Sequence, residues 1–263
     1  MLARHGYAPS KRYSQNFLVT EGVVEGIAEA VALAEGERVI ELGPGAGTLT
    51  TALLRRGANV LAIEKDPRML ALLREELADV ERFELREGDA AALDLAALTD
   101  TPIAVTGNLP YAITGSIFRG LVAQKALVAR SVVMVQREVR DRLLAAAGES
   151  DYGALTVFVT AAFRVEPVMT VKPGAFFPPP KVTSAVVRLV PHAVPRAEET
   201  EGFRRVVRAA FDKRRKTLRN ALSGLAAPEV LAAAFESAEV DPGLRGETLD
   251  VEAFARLAAA IEG

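Results

Sequence analysis

Cysteine and tryptophan are absent from the sequence, and histidine occurs twice, at His5 and His192. Without thiols the chain has no disulfide, no thiolate metal site and no cysteine nucleophile. Two histidines so distant in sequence do not make a zinc site or a catalytic triad, so no metal is expected. No apolar run approaches the roughly 20 residues that span a bilayer. The stretch from Met1 to Gln15 is basic and polar and lacks the apolar core of a signal peptide. No membrane association is expected, and the composition suits a cytoplasmic protein.

An excess of one charge sign is missing too. Lys and Arg number 32 against 34 Asp and Glu, a net charge of −2. A globally basic surface for nucleic acid is therefore excluded, but the distribution is uneven. Arg4, Lys11 and Arg12 cluster at the start. From Arg204 to Arg219 there are eight cations, Arg214, Arg215, Lys216 and Arg219 among them, with Asp212 as the only acid. Such a local cluster either grips phosphates or is a solvated helix face.

What is present is ample apolar material. Half of the 263 residues are hydrophobic, enough for one large domain or a medium one with a small companion. Helical spacing at Val24, Ile27, Ala28 and Val31 is followed by a strand over Arg38–Leu42 and a helix over Thr48–Arg56. Further strands are expected over Asn59–Ile63, Arg82–Arg86, Pro102–Thr106 and Arg130–Val135, with helices between them. One helix starts at Pro67, capped by Asp66. This alternation predicts an α/β fold, a parallel sheet with helices on both faces. Val165–Val171 and Val182–Val190 are expected to pair at the sheet edge. Pro191 to Pro195 interrupts the pattern, and the chain then reads as helix only. We place a catalytic, cofactor-binding domain over residues 1–192 and a small all-α domain over 193–263.

The carboxyl ends of the first four expected strands carry the chemistry. Glu41-Leu42-Gly43-Pro44-Gly45-Ala46-Gly47 follows the first strand and opens a helix, where glycines allow a sharp turn and close approach of a ligand. A dinucleotide fingerprint runs G-x-G-x-x-G. Here the glycines run G-x-G-x-G, Thr48 takes the third glycine's place, and Glu41 would repel a pyrophosphate but suits a cation such as a sulfonium. Glu64 ends the second strand, placed to accept from ribose hydroxyls. Gly88-Asp89-Ala90 follows the third, with Asp89 placed to accept from an adenine amino group. Asn108-Leu109-Pro110-Tyr111 follows the fourth. An amide and a phenol ring at that edge describe a pocket for a flat base whose amino nitrogen is the nucleophile. A strand with a tight turn and a buried tyrosine is the alternative.

These motifs together resemble the KsgA/Erm family of S-adenosylmethionine-dependent rRNA adenine N6-dimethyltransferases, over nearly the whole chain. Lys11-Arg12-Tyr13-Ser14-Gln15-Asn16-Phe17-Leu18 is similar to the family's N-terminal cofactor motif, with Ser14 where glycine is usual. Glu41 to Gly47, Glu64 with Lys65, Asp89 and Asn108 to Tyr111 resemble successive motifs. Val135 to Val139 and Phe176-Phe177-Pro178-Pro179-Pro180-Lys181-Val182 resemble later ones, and Gly115 stands where proline is common. Arg214 to Asn220 looks like the KsgA branch more than the Erm branch.

The resemblance implies a Rossmann-like methyltransferase sheet with a helical C-terminal domain. It implies S-adenosyl-L-methionine as cofactor, bound by Gln15, Asn16, Leu18, Glu41, Gly43, Gly45, Gly47, Glu64, Lys65, Gly88, Asp89, Ala90 and Asn108. The substrate it implies is 16S rRNA in the small ribosomal subunit or its precursor, dimethylated at two adjacent adenosines in a loop near its 3′ end by a monomer. Asn108 and the Leu109 carbonyl are expected to accept from N6, with Pro110 shaping the turn. Tyr111 is expected to stack on one face of the base and Phe176 on the other, Phe177 being the core residue of the pair. Arg12, Arg214, Arg215, Lys216 and Arg219 are expected to contact RNA, with salt bridges to acids such as Glu138 and Asp141 as the competing role. An Erm-type enzyme acting on 23S rRNA and a non-catalytic ribosome-assembly factor are the alternative functions.

Overall fold

The computed structural model describes residues 9–10, 15–213 and 215–263, so Arg12 and Arg214 lie outside the described residues. The chain divides into two compact units, Met1–Arg140 with Glu166–Pro191, and Asp141–Val165 with His192–Gly263.

In chain order the first part contains β1 (Phe17–Leu18), α1 (Glu21–Val31), β2 (Arg38–Leu42), α2 (Thr48–Arg55), β3 (Asn59–Glu64), α3 (Pro67–Glu76), β4 (Phe83–Glu87), β5 (Ile103–Asn108), α4 (Thr114–Ala123) and β6 (Val128–Gln136). Next come α5 (Arg137–Leu144), α6 (Ala154–Ala162), β7 (Phe163–Val171), β8 (Phe176–Phe177) and β9 (Ser184–Pro191). Seven strands form one sheet in the order β4-β3-β2-β5-β6-β9-β7. β4, β3, β2, β5 and β6 run parallel, while β9 is antiparallel to β6. β2, β5 and the body of β3 are almost continuously buried, as strands covered on both faces must be. The stripe Val24, Ile27, Ala28 and Val31 of α1 faces the same core. The Asp66 side chain accepts from the Arg68 N–H, and Pro67 fills the first position of α3, the expected start.

β3 lies on one side of β2 and β5 on the other, so the loops leaving β2 and β5 part at their carboxyl ends. That is the crevice where open α/β sheets take ligands. Pairing of β2 with β5 stops at Glu41 with Thr106. At the next position a Cβ on Gly107 would collide with the Leu42 carbonyl, so only glycine lets the two strands approach there. A separate two-residue ladder, Phe17 with Phe177 and Leu18 with Phe176, joins β1 to β8. It is too short to leave a periodic signal.

The second unit holds α6, α7 (Glu201–Asp212), α8 (Leu218–Leu222), α9 (Pro228–Ser237) and α10 (Val251–Glu262). Thr200 and Asp250 cap α7 and α10 by accepting from the Phe203 and Ala253 N–H groups. Its core is formed by Phe203, Val206, Val207, Phe254 and Leu257 together with Tyr152, Val157 and Ala161. Those last three residues explain why the unit is larger than the segment 193–263. Tyr152, whose hydroxyl donates to the Leu249 carbonyl at 2.9 Å, brings residues 141–165 into it.

Candidate active site

A cleft of about 960 Å³, open solvent included, lies at the carboxyl ends of β2, β3, β4 and β5. Its size suits a cofactor. The glycine turn after β2 forms one wall. Gly43, Gly45 and Gly47 all have positive φ, at 65°, 55° and 78°. Gly43 and Gly45 line the cleft, but Gly47 does not. Gly47 precedes α2, where its φ and the 2.8 Å approach of Leu73 to an added Cβ both favour glycine.

Glu64 ends β3 as a preformed acceptor. Its Oε1 accepts from the Lys65 and Asp66 N–H groups, both at 2.8 Å, and its Oε2 accepts from Gly45 N–H at 3.1 Å. A carboxylate has about four acceptor sites, so capacity remains for hydroxyl donors. Asp66, beneath it, accepts from Gln15 at 2.7 Å and pairs with Arg68 at 2.7 Å. Burial alone would raise the Asp66 carboxyl, but the Arg68 and Gln15 bonds outweigh it and hold it below its ordinary value.

Glu41 is buried at 1 % exposure, yet its residue contributes to the cleft wall. It accepts from the Thr50 hydroxyl at 2.6 Å. Burial pushes its carboxyl up to about 7; the Thr50 bond opposes this and the nearby Glu64 adds to it. A buried carboxylate beside a second carboxylate is a site that a cationic ligand would stabilise. At the adjoining ends of β3 and β4, Lys65 pairs with Asp89 at 3.1 Å. The Asp89 carboxyl lies below its ordinary value, first through the Ala91 N–H and then through Lys65. Gln15, Asn16, Leu18, Gly88 and Ala90 complete the same wall, so among the expected cofactor residues only Gly47 stands outside it.

Asn108, Leu109, Pro110 and Tyr111 close the cleft's far end. The Asn108 side-chain nitrogen donates to the Asn16 carbonyl at 3.0 Å. A carbonyl partner fixes which end of the amide is nitrogen, and Oδ1 remains as an acceptor. Tyr111 is half-buried in the 3₁₀ turn Tyr111–Ile113, and its hydroxyl shares a 2.7 Å hydrogen bond with Ser184. Burial raises its phenol, with the Ser184 bond acting the other way.

The two phenylalanines of β8 reverse the expectation. Phe176, expected beside the base, is 4 % exposed in the main core, whereas Phe177, expected in the core, is 56 % exposed. Adjacent strand residues point to opposite faces, and the pairing of Leu18 with Phe176 decides which one turns inward. Phe177 is thus the exposed ring of the pair, which only the register of this ladder identifies.

The basic tail motif also differs from expectation. α8 starts only at Leu218, so Arg215 and Lys216 precede the helix instead of lying on it, and Arg219 lies within it. All three are exposed.

The chain matches the ribosomal RNA adenine dimethylase family model over residues 8–262. It is 44 % identical over 252 residues to ribosomal RNA small subunit methyltransferase A of Pseudomonas aeruginosa, covering 94 % of this chain and 92 % of that one. It is 43 % identical over 267 residues to the protein of the same name from Myxococcus xanthus, covering 99 % and 94 %. Among solved structures it resembles a dimethyladenosine transferase from Plasmodium falciparum, with a TM-score of 0.80 and 26 % identity over 92 % of this chain and 95 % of that one. It also resembles the 23S rRNA methyltransferase ErmE, with a TM-score of 0.70 and 28 % identity over 94 % and 100 %. By the extent of these matches and the motifs gathered around one cleft, the chain belongs to the ribosomal RNA adenine dimethylase family.

Proposed function

We propose that this protein transfers methyl groups from S-adenosyl-L-methionine to N6 of two adjacent adenosines in a loop near the 3′ end of 16S rRNA. The product is N6,N6-dimethyladenosine, formed in the cytoplasm during small-subunit biogenesis by a monomer. Family membership supports the reaction class, and the names of the 44 % and 43 % identical relatives support the small subunit over the large one. The observation that carries the chemistry is the Asn108 amide, tied through its nitrogen so that its oxygen is the group left to meet an amino donor.

The cleft fits the cofactor. Glu64 offers a fixed acceptor for ribose hydroxyls, Asp89 one for an adenine amino group, and buried Glu41 a negative charge for a cationic ligand. When bound, S-adenosyl-L-methionine supplies a methyl group made electrophilic by its sulfonium. Asn108 Oδ1 and the Leu109 carbonyl accept from the two N6 hydrogens and favour the geometry in which the nitrogen lone pair points at the methyl. Both acceptors also stabilise the positive charge that develops on nitrogen. That charge makes the nitrogen acidic enough to lose its proton to water. Tyr111 stacks on one face of the base and Phe177, not Phe176, is the exposed ring available for the other. A loop nucleotide leaves its stack more cheaply than a paired one. Arg215, Lys216 and Arg219, together with Arg12 and Arg214, supply phosphate contacts.

Labelled cofactor, offered with unmodified small subunits, large subunits and naked rRNA, tests this reading. Dimethyladenosine mapped to the 3′ end of 16S rRNA is the expected result. Product in the large subunit would establish the reading drawn from the ErmE likeness.

A further inference from the structure

We propose that Ser184 is a positioning residue that holds the plane of the Tyr111 ring and thereby sustains the second methyl transfer to the same nitrogen. The proposal rests on the reading above, in which Tyr111 stacks on the target base.

Ser184 opens β9 and is fully buried at 0 % exposure. Its place is set by the sheet: it lies opposite Gln136 in the register of β6 with β9, and the preceding residue, Thr183, accepts from the Arg137 N–H at 3.0 Å. A hydroxyl in that position is an anchor rather than a mobile surface group. Its side-chain partner is the Tyr111 hydroxyl, at 2.7 Å. Tyr111 is thus fixed at both ends. Its backbone sits in the 3₁₀ turn behind Pro110, and its phenol oxygen is tied to the buried strand. Without that tie the ring keeps its apolar area but regains rotation about its two side-chain torsions. A ring that rocks no longer defines one plane for a stacked base.

The two transfers depend on that plane unequally. In the first, N6 carries two hydrogens, and two acceptors, Asn108 Oδ1 and the Leu109 carbonyl, align it. The nitrogen–carbon bond forms, the carbon–sulfur bond breaks with its electron pair moving to sulfur, and the nitrogen's proton passes to water. The monomethylated nitrogen then carries one hydrogen, so only one acceptor can hold it. Alignment for the second transfer falls more heavily on the stack, and the stack is what Ser184 holds still.

Ser184→Ala and Tyr111→Phe remove the same bond from opposite ends. Single-turnover methylation of unmodified small subunits, with mono- and dimethyladenosine quantified by mass spectrometry of nucleosides, distinguishes the two steps. Each variant is expected to slow the second transfer about 10-fold and the first by no more than about 3-fold, the scale of removing one hydrogen bond that acts on alignment. Monomethyl product then accumulates. The double variant is expected to be no worse than either single one, because the same bond is missing in all three. In Ser184→Ala cofactor affinity stays within about 2-fold, since Ser184 does not line the cleft. A wild-type product ratio in Ser184→Ala would overturn the proposal. So would an equal slowing of both transfers with a lowered Tm, which would make the bond merely structural. If Ser184→Ala fails to fold, Tyr111→Phe alone decides the matter. If the wild-type protein forms no dimethyladenosine, the functional reading itself falls, which is a different failure from an unaltered product ratio.

Discussion

Glu41→Gln offers the sharpest separation between the chemistry of the cofactor site and its folding. Glu41 is 1 % exposed, hydrogen-bonded to Thr50, and raised from an ordinary carboxylate value of 4.5 to about 7 by burial. Its folded pKa lies above its unfolded one, so the folded protein holds an extra proton between those values. The stability tied to this proton is fully present below about 4.5 and is lost as pH rises through about 7. The full excursion is worth about 3 kcal/mol, at 1.36 kcal/mol per tenfold in proton affinity. Glutamine keeps the shape and an acceptor for Thr50 but never ionises. The variant is therefore expected to be more stable than wild type at pH 8 by about 1–3 kcal/mol and equal to it only below about pH 4.5.

Cofactor binding should respond in the opposite sense. A bound cation favours the ionised carboxylate, so binding at pH 7 releases protons, and wild-type affinity rises from pH 6 to pH 8 by up to about 10-fold. In Glu41→Gln that pH dependence disappears, and affinity at pH 8 falls by about 10-fold or more. Calorimetric titration of S-adenosyl-L-methionine at pH 6, 7 and 8, in buffers of different ionisation heat, measures affinity and proton release together. Denaturant melts supply the stability term. The reasoning is refuted if the variant gains stability at pH 8 yet binds cofactor as tightly as wild type with no proton release in either protein. Glu41 would then be a buried carboxyl tolerated by the fold.

Asn108→Ala is expected to leave cofactor affinity within a few-fold but to lower methylation roughly 100-fold, the scale of one preorganised polar group; near-normal turnover in a radiolabel assay would remove Asn108 from the alignment of the nucleophile. Phe176→Ala should destabilise the protein by about 3–5 kcal/mol as a core deletion, while Phe177→Ala should leave Tm unchanged and weaken methylation about 10-fold by removing a base stack. Melting curves beside activity for the two variants check this, and the reverse pattern would restore Phe176 to the site. Replacing Arg215, Lys216 and Arg219 with alanine should flatten log affinity for small subunits against log salt by about 0.7–0.9 for each phosphate that is no longer neutralised. A lowered Tm with an unchanged salt slope would instead make the tail a structural brace.

The central parallel strands β2, β3 and β5 were legible because each has a largely apolar body and carries a chemically distinctive residue at or near its end: Glu41 in β2, Glu64 in β3, Asn108 in β5. Those ends gather at one crevice by topology alone, so sequence order was enough to bring them together. Features that depend on a partner distant in the chain were not legible. The motif Gly43 to Gly47 has three glycines of one conformation, and only the folded structure shows that Gly43 and Gly45 line the cleft while Gly47 does not. The second unit was drawn too small because Tyr152 and Val157 carry no mark in the sequence that they pack with Phe203 rather than with the sheet. The basic tail looked helical because its residue types tolerate helix, whereas Thr217, extended at φ −66° and ψ 158°, delays the start of α8.

The ladder between β1 and β8 shows why the missing part of the reading matters to function. Its four residues set two features of the site at once. Asn16, immediately before β1, presents the carbonyl that orients the Asn108 amide 92 residues away. On the other strand, Phe176 pairs with buried Leu18 and turns inward, which leaves Phe177 exposed. Phe17 and Leu18 themselves line the cofactor cleft. The same few backbone hydrogen bonds therefore join a wall of the cleft, the Asn108 amide proposed to meet the reacting nitrogen and the exposed ring proposed to meet the base. A substitution that weakens this ladder should impair all three together, and no single-residue assignment made along the sequence would foresee that coupling.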